Sequence, residues 1–329
     1  MIAWAKNNKA NMGLLAVALV MPLFFESPYI LHMLVMIALY VSLASSLNLI
    51  LGYTGLFSLA HAAFFGIGAY TTALLTTKMF HLPIWAGILS SGFVAAFFGM
   101  LIGLPSLKLR GDYLAICTLG FGQVVRLFEL NAVKVTGGAM GIPGIPKPKV
   151  FGSVLTRIGF YYLALVVAVL VIVAIGKVVR SRIGRALMAI REDQQAAEAC
   201  GVDTTYYKVL AFSMGAFFAG LAGSIYAHYI TFISPDAFAF NDSILMFCMV
   251  ILGGLGTRLG PVVGAALLVA LPEAARFAAQ YRFLIVGLVL VICMVYRPQG
   301  LLGSYASAAE GSPKSGGKPK PQAGGAVRG

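Results

Sequence analysis

Ten nearly unbroken apolar runs fill most of the chain between residues 12 and 296, and few folds accept such a pattern. They lie at 12–25, 29–51, 55–77, 83–104, 112–130, 159–179, 208–230, 243–256, 259–275 and 282–296. A helix needs ~20 apolar residues to cross the hydrocarbon core, so the runs read as membrane spans. The first, eighth and last are short as drawn, which makes the expected count nine to ten. Charge content agrees, since 11% of the 329 residues are charged against about 25% in a soluble domain. The expected fold is all-α, a polytopic bundle with some discontinuous helices, and residues 1–302 form one transmembrane domain. Residues 303–329 hold Gly, Ser, Pro, Lys and Ala with little apolar bulk, so a disordered basic cytoplasmic tail is expected there. Its lysines suit water or anionic lipid.

The net charge of +13 would suggest nucleic acid for a soluble protein, but the basic residues sit between spans instead of forming one face. With residues 1–11 cytoplasmic and ten spans following, 16 of the 24 Lys and Arg fall inside. Both termini are therefore expected in the cytoplasm. Residues 131–157, rich in Gly and Pro, become the main external loop, and residues 180–207 the main cytoplasmic loop. The basic start and first apolar run resemble a secretory signal. No small-x-small cleavage site follows, so this segment reads as a span or signal anchor. Cys117, Cys200, Cys248 and Cys293 show no paired or metal-ligand spacing, and neither disulfide nor metal site is expected.

Two glycine-interrupted stretches share Leu-Gly-x-x-Gly: Leu51-Gly52-Tyr53-Thr54-Gly55 and Leu252-Gly253-Gly254-Leu255-Gly256. Each breaks a long apolar run in its own half of the chain. Paired breaks point to discontinuous helices around a transport site; tight turns between helices explain them as well. Asn48, Tyr53, Thr54, Ser58 and His61 put neutral polar groups beside the first break. With Gly253, Gly254 and Gly256 they form the candidate translocation path, although hydrogen bonding between helices would use the same groups. Ala211, Gly215, Ala219, Gly223 and Ala227 recur every four residues, a small-residue ridge suited to close helix packing.

What is missing narrows the function. No Asp or Glu occurs between Glu26 and Asp112, and the later spans hold only Glu129 and Glu273 near their ends. Ion-coupled carriers keep ionisable groups at membrane depth, so this chain is not expected to be driven by an ion gradient. It lacks GxxxxGK[ST], HExxH and TVGYG, and His32, His61, His81 and His228 are isolated. Neither a nucleotide hydrolase nor a membrane enzyme is expected. What remains is a conduit driven from outside, or a stand-alone facilitator or channel.

The cytoplasmic loop offers a place for a driver. Residues 185–200 are strong helix formers without Pro or Gly, and Gly201 stands as a stop. Leu187, Ile190, Gln194 and Ala197 share one side at helical spacing. The segment Arg185-Ala186-Leu187-Met188-Ala189-Ile190-Arg191-Glu192-Asp193 through Ala197-Glu198-Ala199-Cys200-Gly201 resembles the coupling segment of ABC importer permeases. In its longer form it is similar to the branched-chain amino-acid permease family, in the LivM-type subunit. The strict Glu-Ala-Ala signature is altered, because Cys200 separates Ala199 from Gly201. The block Ser46 to Gly66, Phe232-Ile233-Ser234-Pro235-Asp236-Ala237-Phe238, Leu271-Pro272-Glu273 and Arg297-Pro298-Gln299-Gly300-Leu301-Leu302 also resemble that family, in order over residues 40–302.

The resemblance implies a permease subunit of the bacterial inner membrane, without an ATPase site or cofactor of its own. It implies a second homologous permease, two cytoplasmic ATPase subunits carrying ATP and Mg²⁺, and a periplasmic binding protein. The cargo would be leucine, isoleucine and valine, with urea or short amides as the alternative. Arg185, Arg191, Glu192, Asp193, Ala197, Glu198 and Gly201 would then couple the chain to the ATPases, with Arg191, Glu192, Asp193 and Glu198 as the docking surface.

Overall fold

The computed structural model describes residues 18–22, 27–79, 83–104, 109, 111–150, 153–274, 287–288, 291, 295–296 and 300–303. The first and last apolar runs and the basic tail lie largely outside these residues. Helix α1 (Pro28–Asn48) starts on a proline, whose fixed φ suits a first turn, and runs on through a π-helical turn, Leu49–Tyr53. α2 (His61–Ala73) continues as a π-helix over Leu74–Met79. α3 (Ile84–Gly103) and α4 (Asp112–Asn131) follow. The loop after α4 holds a short helix α5 (Val133–Thr136), a 3₁₀ turn (Gly138–Met140) and strands β1 (Ile142–Pro143), β2 (Lys149–Val150) and β3 (Ser153–Val154). Then come α6 (Arg157–Arg180), α7 (Arg182–Glu192), α8 (Gln194–Ala199) and α9 (Thr204–Ile230). Strand β4 (Phe232–Ile233), a 3₁₀ turn (Pro235–Phe238), α10 (Phe240–Gly253) and α11 (Gly260–Ala274) complete the described chain.

Among the described residues six stretches are long and apolar enough to cross a membrane: Pro28–Tyr53, Ile84–Gly103, Asp112–Asn131, Arg157–Arg180, Thr204–Ile230 and Pro235–Gly253. The apolar part of α11, Gly260–Leu271, is shorter. The protein is an all-α, multi-pass membrane bundle.

Lipid supplies no hydrophobic force between helices, so close approach through small residues must hold them together. α9 is the hub. Its Gly215 faces Ile50 and the Ser46 carbonyl of α1, its Gly223 the Phe65 carbonyl of α2, and its Gly220 both Gly68 and Ala95. A methyl group on Gly220 would lie 2.6 Å from Cβ of Ala95, and one on Gly99 2.6 Å from Cβ of Ala216. Ala211 and Ala219 of the same ridge are fully buried. α4 is the opposite case, with Tyr113, Ile116, Val124 and Phe128 exposed.

The bundle has two unlike ends. At one, Ile142 pairs with Ile233 and Pro143 with Phe232, fastening the 131–157 loop to the end of α9. His228 Nδ1 lies 2.7 Å from the Pro146 carbonyl and adds a second tie. The other end carries α7, α8 and both glycine breaks.

Candidate functional site

The first break is built by backbone geometry. Gly55 has φ +73°, a left-handed conformation that costs a side-chain-bearing residue about 1–2 kcal/mol. The Gly55 and Leu56 amides donate to the carbonyls of Leu51 and Ile50 at 3.2 and 3.0 Å, closing the helix end. Thr54 Oγ1 donates to the Leu49 carbonyl at 2.9 Å. The second break follows α10, with Gly254 at φ +119° and Gly256 at φ +70°. The carbonyls left free there are taken by Leu301 and Leu302, whose amides donate to Leu252 and Gly253 at 2.8 and 3.0 Å. Thr257 accepts from Gly260 at 3.1 Å and starts α11.

The structure brings these breaks, about two hundred residues apart in sequence, into contact. Asn48 is 2% exposed. Its amide nitrogen donates to the Thr257 carbonyl at 2.9 Å, and its carbonyl accepts from the Gly256 amide at 2.9 Å. One side chain thus imitates a peptide group bridging the two halves. A methyl group on Gly52 would sit 2.5 Å from the Gly256 nitrogen, so the junction admits only glycine.

The polar segment joins the same point. Ser181 caps α7 by accepting from Ile183 at 3.1 Å. Ala186, Leu187 and Ile190 are buried, and Leu187 shares a cluster with Leu49 and Tyr53 at the end of α1. This register delivers Arg191 to the break, where Nη1 donates to the Gly52 carbonyl at 2.6 Å. Its Cγ would be 3.1 Å from a methyl group on Gly55, and its Nη1 2.8 Å from one on Gly256. A charge-assisted hydrogen bond of this kind contributes about 1.5–3 kcal/mol.

The segment is not one helix over 185–200. It breaks at Asp193, which is extended (φ −155°, ψ 114°) and caps α8 by accepting from Gln195 and Ala196 at 2.8 and 3.2 Å. Asp at an N-cap satisfies two orphan amides, which outweighs the helix propensity of its neighbours. Glu198 accepts from Gln194 at 2.8 Å and Thr204 at 2.6 Å, and buried Lys208 donates to Gln194 at 2.8 Å. Ala197 is buried and Gly201, at φ +81°, ends α8. Arg191, Asp193 and Glu198 are thus engaged within the chain although they, like Arg185 and Glu192, are exposed.

The remaining path residues scatter. Tyr53, Thr54, Ser58 and His61 are buried, and His61 Nε2 lies 2.7 Å from Ser46 Oγ, well away from Arg191 in its contacts. Gly253 lies against Gly260, and Gly254 against Gly300. Gly215, Ala219 and Gly223 belong to the hub of α9. Sequence reasoning passed over Ser46, Thr118, Ser243 and Thr257. Thr118 and Ser243 accept from the Leu59 and Ala62 amides at 3.0 Å each, holding the irregular segment 55–60 and the first turn of α2, where no helix partner exists. The signal available was their occurrence as lone hydroxyls inside apolar runs.

Among the described residues no group of His, Cys, Asp and Glu is arranged to hold a metal ion. No solved structure matches the chain. The LivM permease of the high-affinity branched-chain amino acid transport system of Salmonella typhimurium is 38% identical over 315 residues, covering 88% of this chain and 74% of its own length. Its Escherichia coli K12 counterpart is 38% identical over 288 residues, covering 80% and 68%. The LivH permease of E. coli K12 is 24% identical over 284 residues, covering 80% and 91%. The family model for the permease component of the branched-chain amino acid transport system matches residues 29–295. With a multi-pass bundle broken at two touching glycine turns, the chain belongs to that family of branched-chain amino acid transport permeases.

Proposed function

We propose that this chain is one of two permease subunits of an ATP-driven importer for branched-chain amino acids in the bacterial inner membrane, with both termini cytoplasmic. The second permease is of the LivH kind, two ATPase subunits bind ATP and Mg²⁺ below, and a binding protein delivers solute to the 131–157 face. The chain itself holds no cofactor and performs no catalysis.

One observation carries this reading: Arg191 ties the polar face helix α7 to the junction of the two breaks by a 2.6 Å hydrogen bond to the Gly52 carbonyl. A helix lying across the membrane face can be pushed by a soluble partner, and Arg185 and Glu192 offer it exposed charge. Asp193, Ala197, Glu198 and Gly201 keep α8 rigid behind it. Displacing α7 then shifts the ends of α1 and α10 together, because Asn48 locks them to each other. Two bistable helix ends moved by one lever suit alternating access.

Reconstitution tests the reading. The complete complex in liposomes is expected to accumulate leucine only with ATP, and a cysteine at Glu192→Cys to react with impermeant reagent from the cytoplasmic side. Leucine conduction by the purified single chain without ATP would establish a facilitator instead, and uptake of urea in preference to leucine would reassign the cargo.

A further inference from the structure

The outer end of α4 holds polar atoms that nothing among the described residues satisfies. Glu129 is 3% exposed, and its Oε1 has no hydrogen-bond partner. The Tyr70 hydroxyl and Arg126 Nε are likewise buried without one. Unpaired buried polar atoms are rare because each forfeits its hydration, and each asks for a missing partner. Here three stand together. Tyr70 lies within electrostatic reach of Glu129, and Arg126 and Glu129 are three residues apart on α4, hence neighbours on its surface. Gly66 keeps the space for the carboxylate: a methyl group there would meet Glu129 Oε1 at 2.9 Å and Phe238 at 3.0 Å.

A single four-residue turn covers this group. In Pro235–Phe238, Asp236 accepts from Arg126 Nη2 at 3.0 Å, and the Phe238 ring packs on Phe65 and Tyr70 with centroids 5.2 and 5.9 Å apart. The Asp236 side chain is 80% exposed, and so exposed a pair holds weakly. The crevice lined by Arg126, Gln123, Phe238 and Ser243, which reaches Arg126 but not Glu129 or Tyr70, measures about 10 Å³, room for roughly one water molecule. No amino acid enters while the turn is down.

We propose that Arg126 and Glu129 receive the carboxylate and the ammonium group of an amino-acid zwitterion at the outer mouth, and that Asp236 holds the arginine in place of the solute while the mouth is closed. This rests on the importer reading above. The carboxylate and ammonium of a zwitterion match a guanidinium and a carboxyl group one turn apart on a helix. Tyr70 offers the ammonium a second acceptor, and Phe65 and Phe238 wall an apolar space for an aliphatic side chain. An arriving carboxylate displaces Asp236 from Arg126, which frees the turn and opens the way inward.

The test uses the complete transporter in proteoliposomes, with loaded binding protein and leucine as probe. Leucine uptake by Glu129→Gln and by Arg126→Gln is expected to fall about tenfold or more, the value of one charge-assisted hydrogen bond. Glu129→Asp should recover a large part of the loss, and Tyr70→Phe should lose less. Uptake by Glu129→Gln within about twofold of the unaltered transporter overturns the inference. So does a loss that follows, variant by variant, the amount of assembled complex in the membrane and is not relieved in Glu129→Asp, for that marks a packing role. If the unaltered complex takes up no leucine with ATP, the importer reading fails instead, and the two failures stay distinct.

Discussion

The two ends of this bundle handle buried polarity in opposite ways. At the glycine junction Asn48 uses both its donor and its acceptor, Arg191 donates to Gly52, and the carbonyls freed after α10 are taken by Leu301 and Leu302. At the far end of α4 Glu129, Tyr70 and Arg126 each keep a buried atom without a partner among the described residues. A satisfied junction is built to hold its shape and move as a unit. An unsatisfied one is built to be completed by something that arrives. In the importer proposed above, driven from one side and loaded from the other, that division of labour follows from physical chemistry: the lever needs stiffness, the mouth needs unmet demand.

Substitutions sharpen the contrast. The largest loss of stability is expected from Asn48→Ala, which leaves the half-buried Gly256 amide and Thr257 carbonyl unpaired, at up to about 1–3 kcal/mol each. Denaturant unfolding in detergent micelles would show it, and a change below about 0.5 kcal/mol would mean that water replaces the side chain. Next comes Gly55→Ala, expected to cost about 1–2 kcal/mol for its positive φ, with added strain against Arg191. Asp193→Ala removes the cap of α8 and should cost about 1 kcal/mol while leaving α7 helical. The smallest effect belongs to the outer mouth. Glu129→Gln keeps the shape of a buried carboxyl group whose Oε1 already lacks a partner, so unfolding should be nearly unchanged, although transport is expected to fall. A strongly destabilised Glu129→Gln would erase the distinction between the two ends.

Much of the architecture was legible in the sequence because its cause is local. Apolar runs of membrane length and Leu-Gly-x-x-Gly twice over are short-range signals. That the two breaks touch was not legible, since a single Asn side chain makes the link across the whole fold. Nor did the polar character of Arg191 reveal that its guanidinium reaches the Gly52 carbonyl; that follows from the burial of Leu187 beside Leu49 and Tyr53. The break at Asp193 was visible in principle, as an N-cap residue before Gln-Gln-Ala, but helix formers on both sides masked it. Glu129 stood out as a rare acid near a span end, yet Tyr70 is brought to it only by the packing of α2 against α4. The path residues Ser58 and His61 sit where lone hydroxyls fix an irregular segment and the start of α2, a role that no periodicity announces.

The account turns on Arg191 as the link between the face helix and the glycine junction. In the assembled complex, binding-protein-stimulated ATP hydrolysis and leucine uptake should be measured side by side for Arg191→Ala. The account expects hydrolysis to continue while uptake falls about tenfold or more, as one charge-assisted hydrogen bond is lost. Uptake that stays in proportion to hydrolysis would contradict it.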